Sequence, residues 1–129
     1  MTDLRPTTHS TIGVIAADDD PDIRYALAEL LGDHPAFDLL GTAASGRDAA
    51  ALAAHTDPQL VVVDVQMPQG GAEAIALVNA VVPNAIVAVF TAKRDRATNR
   101  EMMAAGAAAV FIKGSTLDLA SDLAALVDA

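Results

Sequence analysis

The sequence predicts an α/β fold, a doubly wound parallel sheet with helices on both faces. Three observations carry this. Five apolar runs of strand length alternate in series with five stretches of helical periodicity. The strand runs are apolar throughout rather than alternating, as expected of strands buried on both faces. The 129 residues suit one domain, long enough to bury roughly two-thirds of the surface its unfolded chain exposes. With 53% apolar and 3% aromatic residues, the core must be built from Val, Ile, Leu and Ala in thin, closely packed elements.

Residues 1–10 are polar and without periodicity, and read as a flexible leader; residues 11–129 make up the folded domain. Thr11–Ala17 is the first strand, broken by Asp18-Asp19-Asp20-Pro21. Ile23, Leu27, Leu30 and Leu31 then recur at helical spacing to about Gly32, with Pro21 suited to the first helical position and Asp20 to the N-cap. Phe37–Ala43 reads as the second strand, and Asp48 to His55 as a short Ala-rich helix preceded by Ser45-Gly46. Leu60–Val63 is the clearest strand and ends at Asp64, before a loop of Met67-Pro68-Gln69-Gly70-Gly71. Ala72–Val82 is a helix closed by Pro83, and Ala85–Phe90 a strand ending at Thr91. Arg96–Ala105 is a helix stopped by Gly106, and Ala107–Ile112 a strand ending at Lys113. The last helix starts at Leu117, with Leu119, Leu123 and Leu126 near one face.

Charge and composition exclude several functions. Eight basic against seventeen acidic residues leave a formal charge of −9. That is the opposite of a nucleic-acid footprint, and an anionic membrane surface repels it. The absence of Cys removes disulfides, thiolate metal sites and cysteine nucleophiles. No apolar run is long enough to span a membrane and the N-terminus has no secretory signal, so a cytoplasmic protein is expected.

Ligands of such folds bind at the carboxyl ends of the strands. Those ends deliver Asp18, Asp19 and Asp20, then Asp64, Thr91 and Lys113. Two carboxylates about 4 Å apart repel by about 1 to 4 kcal/mol, so the cluster calls for a cation. Oxygen donors without His or Cys favour magnesium. Thr91 and Lys113 add a hydroxyl and a positive charge, which an incoming phosphoryl group needs. The cleft is thus suited to magnesium and phosphate together, with a carboxylate as nucleophile.

The chain resembles the receiver domain of two-component response regulators. The resemblance rests on Ile-Ala-Ala-Asp-Asp-Asp-Pro at 15–21, Val-Val-Val-Asp-Val-Gln-Met-Pro at 61–68, Phe-Thr-Ala at 90–92 and Ala-Gly-Ala-Ala-Ala-Val-Phe-Ile-Lys at 105–113. It implies a flavodoxin-like sheet of strand order 2-1-3-4-5. It implies Asp64 as phosphoacceptor, Asp18, Asp19, Asp64 and the Gln66 carbonyl as magnesium ligands, Thr91 as the switch hydroxyl, and Lys113 as the phosphate contact. Ala92 matches the small residue that leaves the phosphate accessible. The implied partner is a histidine kinase or phosphotransfer protein. The run from Leu40 to Ala49, with Ala17–Pro21, resembles the branch that usually carries a C-terminal helix-turn-helix DNA-binding domain, and a homodimer is a further expectation. The domain itself is not expected to bind nucleic acid or membrane, nor to act as an enzyme beyond its own phosphorylation and dephosphorylation.

Two positions depart from the family pattern. Gly114 follows Lys113 where many receivers have proline, and Val110 stands where an aromatic residue is usual. The alternative reading is a degenerate receiver that works as a phosphorylation-independent interaction module; Val110 favours it and the full acidic set opposes it. An aspartyl-nucleophile phosphatase needs a second acid two residues after the nucleophile, where this chain has Gln66. A flavin carrier needs a Ser/Thr/Gly-rich phosphate loop, where this chain has Asp-Asp-Asp-Pro. His9, His34 and His55 show no ligand spacing and read as surface residues. Met102-Met103 reads as helix packing, and Arg94, Arg96 and Arg100 as the one locally basic stretch, a solvated or partner-contact face.

Overall fold

The computed structural model describes residues 11–115 and 118–128. The elements run β1 (Ile12–Ala17), α1 (Pro21–Asp33), β2 (Phe37–Ala43), α2 (Gly46–Thr56), β3 (Leu60–Val63), α3 (Ala72–Val81), β4 (Ile86–Thr91), α4 (Arg96–Ala105), β5 (Ala109–Ile112) and α5 (Leu119–Asp128). All strand pairs are parallel, in the order β2-β1-β3-β4-β5. The expected leader and the expected helix start at Leu117 lie outside the described residues. Among the described residues no helix is long and apolar enough to cross a membrane.

Strand periodicity of two divides the interior into two cores. Ile15, Ala17, Val61, Val63, Val87 and Val89 point to the side covered by α2, α3 and α4. Val14, Ala16, Leu60, Val62 and Ala88 point to the side covered by α1 and α5. Every residue of β3 is buried, as its central place requires. The small side chains of α2, among them Ala49 and Ala53, are fully buried and let that helix sit close to the sheet. On the other face Leu27 and Leu31 of α1 meet Leu119 and Leu123 of α5, while Leu126 is half-buried. Burying each such side chain contributes roughly 1.5–3 kcal/mol.

The element ends differ from the sequence expectation where caps intervene. Ser45 Oγ accepts from the Asp48 amide at 3.0 Å, so α2 opens at Gly46 rather than Asp48. Ala107 donates back to the Met102 carbonyl at 3.0 Å and so completes the helix stop after Gly106, which delays β5 to Ala109. Asp20 caps α1 as expected, accepting from the Asp22 amide at 2.9 Å. His34 is half-buried rather than on the surface: its ring packs 5.5 Å from Phe37 and its Nδ1 accepts from the Ala36 amide. Met102 is core as expected, but Met103 is exposed.

Register decides what the carboxyl edge presents. Ala17 pairs with Val63, and Thr91 with Ile112. Val63 in turn pairs with Val89, so Asp18 and Asp64 leave the sheet level with Phe90, one residue before Thr91, while Lys113 follows two residues further on, just past the end of β5, and reaches back to them with its long side chain.

Candidate functional site

Asp18 is held by main-chain and side-chain bonds. Its amide donates to the Ala43 carbonyl at 3.0 Å, and its own carbonyl accepts from Arg24 Nη1 at 2.9 Å. Its Oδ1 accepts from the Asp20 amide at 3.0 Å. Asp64 donates its amide to the Ala17 carbonyl, and its carbonyl accepts from the Gly71 amide. Both side chains are buried, whereas Asp19 is exposed. One carboxylate oxygen from each of Asp18, Asp19 and Asp64 lies within 4.8 Å of the others.

A cation shared by two of these carboxylates belongs to the chain itself. Lys113 Nζ lies 2.7 Å from Asp18 Oδ2 and 3.2 Å from Asp64 Oδ2. It also stands 5.7 Å from the Phe90 ring centroid. Burial alone disfavours the ammonium, but the hydrogen bond to Asp18 and the charge of Asp64 outweigh it and raise the Lys113 pKa above the ordinary lysine value. Three carboxylates and one ammonium leave two formal negative charges in the cleft. Asp64 Oδ1 is buried and has no hydrogen-bond partner among the described residues. An uncompensated buried carboxylate oxygen is costly and calls for a counter-charge. The hard-oxygen donor set fits magnesium.

The other expected site residues lie around this cluster in different ways. Thr91 is fully buried at the end of β4, and its carbonyl accepts from the Lys113 amide at 2.8 Å. Its hydroxyl is turned to its own loop, accepting from the Lys93 amide at 3.2 Å. Gln66 is exposed on the loop after β3, and no hydrogen bond among the described residues engages its carbonyl. Ala92 is exposed. Gly114 has φ of +83°, which a proline ring cannot adopt, so Gly suits this turn where Pro does not. Val110 and Phe111 lie on opposite cores, as period two requires. Val110 is half-buried beside a groove of about 370 Å³ that Arg94, Arg96 and Arg100 also line.

Sequence reasoning missed two contributors. Arg24 ties the acidic turn to α1, and its only signal was a lone basic residue one turn into a helix. Gly46 donates its amide to the Pro68 carbonyl at 2.8 Å, and the only sign of this was a Ser-Gly pair before a helix.

Comparisons with known proteins bear on the family and the fold. Residues 14–124 match the family model described as the response regulator receiver domain. Protein-glutamate methylesterase/protein-glutamine glutaminase 4 of Myxococcus xanthus is 37% identical over 102 residues, covering 78% of this chain and 29% of that protein. Transcriptional regulatory protein LnrK of Bacillus subtilis is 31% identical over 108 residues, covering 83% of this chain and 49% of that protein. The chain thus spans about half or less of the length of these curated relatives. A LuxR-family two-component response regulator from Aurantimonas sp. SI85-9A1 has a TM-score of 0.85 at 27% identity, covering 92% of this chain and 86% of that one. The signal receiver domain of response regulator NarL from Mycobacterium tuberculosis has a TM-score of 0.86 at 23% identity, covering 93% and 98%, a likeness of fold. The family match runs from β1 into α5, across every strand end that lines the acidic cleft, and this chain therefore belongs to the response regulator receiver domain family.

Proposed function

We propose that this domain accepts a phosphoryl group on Asp64, in a magnesium-dependent reaction, and changes conformation to control an output domain or partner. The observation that carries the reading is Asp64 Oδ1, a buried carboxylate oxygen without a partner among the described residues, in a cleft that holds two further carboxylates and Lys113. The donor is an N-phosphorylated histidine of a kinase or phosphotransfer protein. An Asp64 oxygen attacks phosphorus, the new P–O bond forms as the P–N bond breaks, and the released imidazole nitrogen takes up a proton. Asp18, Asp19, Asp64 and the Gln66 carbonyl would hold magnesium, which supplies positive charge opposite the phosphoryl oxygens.

Lys113 pairs with the phosphoryl oxygens in place of its present carboxylate partners. Thr91 gives up its bond from the Lys93 amide and turns its hydroxyl to the phosphate, so the loop after β4 reports the event. The domain catalyses only its own phosphorylation and dephosphorylation, and it acts in the cytoplasm. A DNA-binding output domain, as the resemblance to the helix-turn-helix branch implies, or a second copy of the domain receives the signal.

The test is incubation with acetyl phosphate, followed by intact-mass measurement with and without magnesium. One phosphoryl adduct is expected, lost in Asp64→Asn and in chelator. An adduct that survives either change defeats the assignment, and no adduct at all favours a phosphorylation-independent interaction module.

A further inference from the structure

We propose that Gly46, at the first position of α2, is a positioning residue for the magnesium ligands of the β3–α3 loop; this rests on the reading of Asp64 and Gln66 above. The N-terminus of α2 meets that loop main chain to main chain. The Gly46 amide donates to the Pro68 carbonyl at 2.8 Å. A methyl group built at Gly46 would lie 1.8 Å from the Gln69 carbonyl oxygen, 2.8 Å from its carbon and 3.1 Å from Ala74 Cβ. Even a weak C–H···O contact needs about 3.3 Å, so any side chain at 46 forces the two segments apart by about 1.5 Å.

The loop is the segment that gives way. Ala49 and Ala53 of α2 are fully buried against the sheet core, whereas in the loop only the Met67 side chain is buried in that core, Gln69 is half-buried, and Gln66 and Pro68 are exposed. The displacement does not stop at Gln69. Gly70 donates to the Met67 carbonyl at 2.9 Å and Gly71 to the Asp64 carbonyl at 3.0 Å, so the loop is closed back on the phosphoacceptor's own peptide group. Residues 64 to 71 thus form one hydrogen-bonded unit, and Gly46 is its outside support. Magnesium demands near-octahedral geometry with ligands at about 2.0–2.1 Å, so a shift of this size in one carbonyl ligand is not tolerated. Asp64, just past the end of β3 and anchored by its amide to the Ala17 carbonyl, stays in place while the ligand set loosens.

The experiment measures magnesium affinity by backbone amide shifts in wild type, Gly46→Ala and a control, Gly32→Ala. Among the described residues nothing lies within 4 Å of a methyl group at position 32. Gly46→Ala is expected to weaken magnesium binding at least tenfold, and its labelling by acetyl phosphate is expected to recover when magnesium is raised. Gly32→Ala is expected to leave affinity unchanged. A folded Gly46→Ala protein with wild-type magnesium affinity overturns the inference, even if its Tm falls. A wild-type protein that binds no magnesium defeats the functional reading and this inference with it. If Gly46→Ala does not fold, amide exchange in wild type decides. Magnesium is expected to slow exchange of the Gly46, Gly70 and Gly71 amides, and unchanged rates at all three overturn the inference.

Discussion

Lys113 and Asp18 form the shortest ion pair of the cleft among the described residues, with Nζ 2.7 Å from Oδ2. The lysine therefore does two things. It offsets one of the two charges that Asp18 and Asp64 carry, and on the function proposed above it would meet the phosphoryl group. On that same proposal its pairing would compete with magnesium for the same carboxylate oxygens.

Lys113→Met is expected to leave magnesium affinity unchanged or to tighten it by up to about tenfold, because a like charge leaves the site. The same variant is expected to show a weaker structural response to phosphorylation. An amide-shift titration with magnesium, then with magnesium and fluoroberyllate, checks both. Loss of metal binding with the fold preserved would contradict the competition.

Asp19→Asn removes one anion without disturbing a buried pair, since Asp19 is exposed. Magnesium affinity is expected to fall at least about tenfold while Tm changes little, because the lost attraction acts on the metal alone. The same titration, with thermal unfolding followed by circular dichroism, reads both quantities.

The Lys113 pairing has a pH signature. Its pKa is raised above the ordinary value of 10.5 in the folded protein. The stabilisation is therefore fully present below that value and is lost as pH rises through the higher folded value. Urea unfolding from pH 9 upward is expected to show stability falling above about pH 10.5, with a shallower fall in Lys113→Met. Identical slopes would show that the pair does not contribute.

Val110 has few rotamers and little reach, and Phe111 on the opposite core cannot replace it. Phosphorylation is therefore expected to reorganise the loop after Thr91 and the start of α4 more than β5. Amide shifts between the magnesium and magnesium–fluoroberyllate forms should be largest over residues 91–101. Equally large shifts over 108–115, unaffected by Val110→Ala, would show that β5 switches without this residue.

Leu123 is fully buried where α5 covers the sheet. Leu123→Ala is expected to cost about 2–5 kcal/mol in urea unfolding, from lost transfer energy and the cavity left behind. A cost below about 1 kcal/mol would mean that α5 contributes little to the core.

The sequence by itself determined the alternation of strands and helices, the Asp20 cap and the oxygen-rich strand ends. These are local properties: apolar runs, period-two and period-3.6 patterns, and breakers at fixed offsets. It also determined that Val110 and Phe111 face opposite ways, since that follows from the strand repeat alone. Alternation did not select one strand order; the order 2-1-3-4-5 followed from resemblance to a family, and the observed pairing matches it. Only the tertiary structure decided that Lys113 pairs with both Asp18 and Asp64, that the Thr91 hydroxyl faces its own loop, that His34 is half-buried, and that Gly46 packs against Gln69. Each depends on how two segments distant in sequence, or two rotamers, settle against each other. Such contacts arise from the summed packing of the whole sheet and leave no periodic trace along the chain.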